Sequence, residues 1–135
     1  MIPPFDDRGY LPPGVHPASL EEIEARFGLE SEVRHVQMES IRWLVAIARR
    51  AGIVRLVLNG SFATDVCEPN DVDCVLLLGP DASRRSDAEA ELVSGLPFLQ
   101  IDLVEQRDFD IMVDVVFATD RAAVPKGMME VILWD

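Results

Sequence analysis

Two short apolar runs on either side of a polar segment constrain this chain more than any other feature. Residues 53–58 and 72–78 have the length of strands, and the second run is apolar enough for a strand buried on both faces. Asp71 and Asp73 open the second run. Because side chains alternate along a strand, these two carboxylates project from the same face, close enough to share a divalent ion.

The first apolar run ends in Asn59, Gly60 and Ser61. Glycine frees the backbone at this point, and the amides there could cradle a phosphate together with the Ser61 hydroxyl. A simpler interpretation is that Ser61 only caps a short helix and that Asp71 lies in a turn. Asp73 argues against it, since an ionised carboxylate inside an apolar run is costly unless it is paired or bound to a metal. The pattern indicates nucleotide and metal chemistry.

The remaining elements follow from hydrophobic periodicity and from capping residues. The prolines among residues 1–18 predict an extended arm without regular structure, followed by one domain over residues 19–135. We expect helices over residues 20–27, 31–51 and 86–93, strands over 53–58, 72–78, 98–104 and 128–134, and a helix from Asp108. Because β-branched residues dominate 111–117, a strand there is the alternative. This order predicts an α/β (α+β) fold with a mixed sheet flanked by helices.

The long helix over residues 31–51 is expected to pack on the sheet through one apolar face. Val33, Val36, Ile41 and Leu44 recur at the spacing of that face, which leaves Arg34 on another side of the helix.

The order and spacing of these motifs resemble a known family. Gly60-Ser61, nine residues, and then Asp71-x-Asp73 at the head of an apolar strand are similar to the signature of the polymerase β-type nucleotidyltransferase superfamily. Residues 11–17, 22–28, 119–121 and 125–127 resemble a small, uncharacterised family of bacterial nucleotidyltransferase-like proteins. The resemblance implies a nucleotidyltransferase-like mixed sheet for the domain.

The same resemblance implies a set of site residues. Asp71 and Asp73 would hold Mg²⁺ or Mn²⁺, with a third carboxylate from a neighbouring strand, for which Asp102 is the best match. Asp114 takes that place if residues 111–117 form a strand. Gly60 and Ser61 would bind the phosphates of an NTP. Relatives carry a basic residue soon after Gly-Ser that this chain lacks, so the cation is expected from Lys126 or, behind it, Arg121.

The implied activity is metal-dependent transfer of a nucleoside monophosphate from an NTP to a hydroxyl of a protein or a tRNA. Small proteins that resemble this one belong to toxin–antitoxin or phage-defence pairs, which implies a protein partner. The alternative is a catalytically weak antitoxin or binding module of the same fold that masks a partner protein.

The charge of the chain bears on its partners. Its 24 acidic residues exceed its 12 basic ones, and the formal charge is −12. Proteins that bind DNA tightly release counterions through a basic surface, so we expect no DNA binding by this chain alone. No apolar run reaches the roughly 18–20 residues that span a bilayer, and the start lacks a secretory pattern, which predicts a cytoplasmic protein without a membrane segment.

Overall fold

A five-stranded mixed sheet lies at the centre of the fold. The computed structural model describes residues 2–79 and 86–134. The strands are β1 (Gly14–Ala18), β2 (Arg55–Asn59), β3 (Val72–Leu77), β4 (Leu99–Val104) and β5 (Gly127–Val131). The helices are α1 (Leu20–Phe27), α2 (Glu32–Ala51), α3 (Ser86–Ser94) and α4 (Gln106–Ile111), and α4 continues into a π-helical turn, Met112–Val116. The single-domain α+β class with a mixed sheet is therefore confirmed.

The strand order is β1-β5-β2-β3-β4. Strand β2 pairs antiparallel with both β3 and β5, whereas β1 with β5 and β3 with β4 are parallel pairs. Since β2 and β3 run in opposite directions, the last residue of β2, Asn59, lies opposite Asp73 near the start of β3. The loop between the two strands therefore begins and ends at the same end of the sheet.

Different helices cover the two faces of the sheet. Leu56 and Leu58 belong to the larger apolar cluster, which includes residues of α1, α2 and α3. Val57 and Val75 belong to a smaller cluster with Phe109 of α4. Alternate residues of β2 are thus buried on opposite faces, which is why this run reads as continuously apolar.

Helices α1 and α2 begin and end where their sequence signals predict. The side chains of Ser19 and Ser31 accept hydrogen bonds from backbone amides of the first turns, and Gly52 ends α2 in the left-handed conformation with φ 73°. A serine cap of this kind is worth about 1 kcal/mol. In the described part of the chain, no helix has the length and apolar character needed to cross a membrane.

The predicted apolar face of α2 is wrong at its N-terminal half. Arg34 is only 1% exposed, whereas Val36 is 41% exposed. The Arg34 guanidinium donates to the carbonyls of Phe27, Phe62, Thr64 and Val66 and lies over the rings of Phe27 and Phe62. Five N–H donors that all find acceptors can be buried, because carbonyl oxygens replace the lost water.

The prediction that residues 1–18 lack regular structure is also wrong in part. Gly14–Ala18 forms β1, which pairs parallel with β5, and Ile2 and Leu11 are buried in the core. Strand β1 lies at the edge of the sheet, where Pro17 can be accommodated because proline removes only one ladder donor.

Two further elements differ from their predicted form. Residues 111–116 are helical and Phe117 caps the helix, so the alternative strand is wrong, and α4 begins at Gln106 rather than after Asp108. The last strand ends at Val131 and lies between β1 and β2. Local propensity does not report which strands a segment will lie between, because that depends on pairing with residues far along the chain.

Replacing Arg34 tests its structural role. We expect Arg34→Ala to lower the free energy of unfolding by about 3 kcal/mol or more, because several buried carbonyls lose a charged donor. Arg42→Ala on the same helix, where the exposed guanidinium pairs with Glu24, is the control and should cost at most about 1 kcal/mol. Urea unfolding curves measure both, and equal losses would contradict the role.

Candidate functional site

A cleft of about 470 Å³ opens where β2 ends and β3 begins. Its lining residues are Asn59, Gly60, Ser61, Asn70, Asp71, Asp73, Val116, Phe117, Thr119, Asp120, Arg121 and Lys126. The lining includes six residues that the sequence singles out for metal and nucleotide binding, namely Gly60, Ser61, Asp71, Asp73, Lys126 and, behind Lys126, Arg121. Asp102 and its alternative, Asp114, are not part of this lining.

The two aspartates of the Asp-x-Asp pattern differ in environment. Asp71 is exposed just before β3, and its Oδ2 accepts a hydrogen bond from Gln100 Nε2 at 3.3 Å. Asp73 is half-buried within β3, with Asn59 opposite on β2 and Gln100 opposite on β4. The polar end of β3 is thus flanked by amide side chains on both neighbouring strands.

Asp102 lies on the same face of the sheet as Asp73 but farther along β4. Its partner in the parallel register is Val75, and its side chain is exposed. Burial is the main cause of the raised pKa of Asp73, and the Asp102 carboxylate adds to it. Its role as a third metal ligand stays a prediction. Asp114 is exposed on the π-helical turn, so the strand that would have made it the third carboxylate does not form.

Gly60 is required by the geometry of the turn after β2. Its φ is 84°, and a Cβ at this position would lie 3.0 Å from Asp73 Oδ2 and 3.3 Å from the Asp71 carbonyl oxygen. The next residues, Ser61–Ala63, form a single 3₁₀ turn. Ser61 Oγ accepts a hydrogen bond from Asn70 N at 3.2 Å, and its hydroxyl hydrogen can still donate to a ligand.

Helix α2 supports the loop that carries these residues. Arg34 binds the carbonyls of Phe62, Thr64 and Val66, and Gln37 Nε2 donates to the carbonyls of Pro69 (2.9 Å) and Asn70 (2.7 Å). Sequence reasoning missed both roles. A signal existed, because positions 34 and 37 continue the spacing of Ile41, Leu44 and Ala48 along one face of the helix.

Lys126 enters the cleft from the loop before β5. Its backbone amide donates to the Ala118 carbonyl, which closes the loop, and its side chain is half-buried. Burial lowers the pKa of Lys126 from its ordinary value of 10.5, while Asp73 and Asp120 act in the opposite direction. Lys126 therefore lines the same cleft as Ser61 and Asp73, and its role as the phosphate-binding cation stays a prediction.

Asp120 shapes the same loop. Its Oδ1 accepts from the amides of Ala122 (2.8 Å) and Val124 (2.9 Å), and Tyr10 Oη donates to its Oδ2 at 2.7 Å. The Tyr10 hydrogen bond is the main reason that the pKa of Asp120 lies below its ordinary value. The N-terminal segment therefore fixes the loop that presents Lys126.

The pKa of Asp73 lies above its ordinary value of 3.8. Burial is the main cause; Lys126 lowers the pKa, and the carboxylates of Asp102 and Asp71 raise it. The balance means that this group lacks the positive charge that would stabilise its ionised form. A cation placed beside it would lower the pKa of the carboxyl group.

The donor set fits a magnesium ion that also binds phosphate. Mg²⁺ prefers oxygen ligands and is usually held by one or two carboxylates, with phosphate oxygens and water completing the octahedron. Asp71 and Asp73 supply the carboxylates. Within residues 2–79 and 86–134, no group of three or more His, Cys, Asp or Glu side chains could hold a metal alone. An ion here therefore requires ligand or water oxygens.

Asn59 is a cleft residue to which the sequence analysis assigns no role. It is 1% exposed, and in the described part of the chain neither Oδ1 nor Nδ2 has a hydrogen-bond partner. Its position, a polar residue at the end of an apolar strand and directly before Gly-Ser, is a sequence signal that could have identified it.

Residues 3–132 match the model of a protein family described as "Family of unknown function (DUF6932)". No curated protein and no solved structure matches the chain.

Two glycines with similar φ, Gly60 and Gly95, allow a matched test of the Gly60 turn. Gly60→Ala should destabilise the fold by about 1–3 kcal/mol and displace Asp73, because positive φ and the contact with Asp73 both oppose a Cβ. Gly95 has φ 87° with nothing within 4 Å of its Cβ position, so Gly95→Ala carries only the backbone cost. Urea unfolding should show the larger loss for Gly60→Ala; equal losses would contradict the close approach.

The pKa of Asp73 predicts a pH-dependent effect on stability. A carboxyl group whose folded pKa is raised binds its proton more tightly when folded, so the protein loses stability as pH rises from 3.8 through the folded value. Without metal, Asp73→Asn should therefore be more stable than the unmodified chain at pH 7, and this advantage should shrink towards pH 3.8. Chemical unfolding in EDTA across this range measures it. Asp7→Asn, at an exposed position, is the control, and a constant difference for Asp73→Asn would refute the explanation.

Proposed function

The chain belongs to the DUF6932 family, a family of unknown function, and we propose that it is a metal-dependent nucleotidyltransferase. It moves a nucleoside monophosphate from an NTP to a hydroxyl group of a protein or a tRNA. The observation that carries the proposal is the shared cleft, in which the carboxylates of Asp71 and Asp73, the Gly60-Ser61 turn and the Lys126 ammonium line one cavity. The fold proposed with this activity is that of the polymerase β-type nucleotidyltransferases.

Each residue has a role that its chemistry allows. Asp71 and Asp73 hold the metal, which when bound neutralises the phosphates and activates the attacking hydroxyl. Lys126 and the Ser61 hydroxyl bind phosphate oxygens, while Gly60 lets the backbone pass close to Asp73. Asp102, on the same sheet face, is the candidate to accept the proton of the acceptor hydroxyl.

The reaction breaks a phosphoanhydride bond and forms a phosphoester bond. The acceptor oxygen bonds to the α-phosphorus, and the bond from that phosphorus to the β-phosphate oxygen breaks. Pyrophosphate leaves, and the acceptor proton passes to a carboxylate or to water. The protein contributes mainly position and charge, as is usual in phosphoryl and nucleotidyl transfer.

The acidic surface of the chain favours a protein acceptor or partner. With a formal charge of −12, the chain would repel the backbone of a tRNA outside a local basic region and would attract a basic protein. Membership of a toxin–antitoxin or phage-defence pair is consistent with such a partner.

One observation favours a second candidate function, a catalytically weak module that masks a partner protein. Gln100 and not a carboxylate lies opposite Asp73 on β4, and Asp102 is displaced along that strand. If two carboxylates are too few for transfer, the same cleft would bind a ligand without turning it over.

Transfer of a radioactive nucleotide separates the two candidates. The purified protein is incubated with each α-³²P-labelled NTP, Mg²⁺ or Mn²⁺, total tRNA and host lysate. Labelled RNA or protein is expected, and Asp71→Ala/Asp73→Ala should reduce labelling by at least about 100-fold. Asp87→Ala, at an exposed position of helix α3, is the control and should label normally. No label under any condition, with a partner protein still bound, would reject transfer in favour of masking.

A further inference from the structure

Asn59 is a buried carboxamide with both of its polar ends unsatisfied. It is 1% exposed at the end of β2, and its Oδ1 and Nδ2 have no partner among residues 2–79 and 86–134. Its neighbour in the β-ladder is Asp73, and it contributes to the wall of the cleft. Asn59 follows Val57 at a spacing of two, so it shares the sheet face that bears the Asp73 carboxylate.

A carboxamide left in this state destabilises the free protein. Burying an amide without hydrogen bonds is unfavourable, whereas a leucine, which has the same branched shape but is larger, would extend the apolar surface of β2 without unsatisfied polar atoms. Buried polar groups almost always have partners, and an exception in a cleft wall points to a partner that comes from outside the chain.

The two ends of the amide restrict what that partner can be. Nδ2 only donates and Oδ1 only accepts, so the ligand must present an acceptor and a donor side by side. The unprotonated phosphate oxygens of a triphosphate offer acceptors alone, and a hydrated cation offers donors alone through its water. A phosphate carrying a hydrated divalent cation presents both, and the carboxylates that would hold the cation lie beside Asn59.

We propose that Asn59 is a binding residue for a metal–phosphate complex, with Nδ2 donating to a phosphate oxygen and Oδ1 accepting from a metal-bound water. The identity of this ligand rests on the proposed function, because the complex is the triphosphate portion of a metal–NTP substrate. The inference adds that the cleft selects this complex over either component.

Stability without ligand provides the first arm of the test. In EDTA, Asn59→Leu should raise the midpoint of urea unfolding, since it removes two unsatisfied groups from the interior. Gln37→Leu is the contrast. Gln37 is also buried, and its Oε1 likewise has no partner among the described residues, but its Nε2 donates to two carbonyls, so this variant should lower the midpoint. A lower midpoint for Asn59→Leu would mean that the amide stabilises the fold, which overturns the proposal.

Binding provides the second arm and does not depend on turnover. Calorimetry measures Mg²⁺ alone, inorganic tripolyphosphate alone, and both together as mimics of the triphosphate. The unmodified chain should bind the combination more tightly than either component, and Asn59→Leu should weaken the combination by about 10-fold, the value of one to two hydrogen bonds. Equal binding by both proteins, or no binding by the unmodified chain, overturns the proposal.

The two arms also distinguish this inference from the activity on which it rests. Tight binding that Asn59→Leu weakens, without any labelled product in the transfer assay, would reject transferase activity and retain the binding role. Labelled product together with unchanged binding in Asn59→Leu would support transferase activity and reject the binding role of Asn59.

Discussion

The guanidinium of Arg34 is the contact on which the geometry of the cleft depends. This buried cation is stabilised by backbone dipoles, because its N–H groups donate to the carbonyls of residues 27, 62, 64 and 66. Burial lowers the pKa of this group, so the carbonyls must be held at hydrogen-bonding distance for the charge to be tolerated. This requirement gives the loop after Ser61 one conformation, and Gln37 extends the same support to the residues before Asp71.

The cleft that results combines a rigid support with incompletely satisfied chemistry. Asp73 is half-buried beside two other carboxylates, with Lys126 as the cation that counters them. Asn59 next to it has neither donor nor acceptor in the described part of the chain. Both features make the free protein less stable than an apolar cleft would, and both are relieved by a ligand that brings positive charge and hydrogen-bonding groups. Sites that bind ligands commonly carry such local costs, which the rest of the fold offsets.

Local sequence patterns were enough to predict strands β2 and β3 and the unusual position of Asp73, because each depends on only a few adjacent residues. The runs that became β2 and β3 are apolar on both faces, and that pattern identifies them without knowledge of their neighbours. Asp73 was recognisable because an ionised carboxylate inside an apolar run is unfavourable unless it is paired or bound to a metal. The burial of Arg34 was not predicted, because arginine is usually solvated, although its spacing in the sequence places it on the buried face of α2. Strand β1 was not predicted either. The prolines around it suggested irregular structure, and its pairing with β5 joins residues over 100 positions apart in the sequence.

The sequence by itself determined four of the five strands of the described chain, the helix caps, and the Gly-Ser and Asp-x-Asp motifs at one end of the sheet. These follow from alternation, propensity and turn chemistry, which act over a few residues. Only the tertiary structure decided that Lys126 faces Asp73, that Gln100 rather than Asp102 lies opposite it, and that Asn59 is buried without a partner. Those outcomes depend on strand register and loop closure between distant segments, where a shift of one residue moves every side chain to the other face of the sheet.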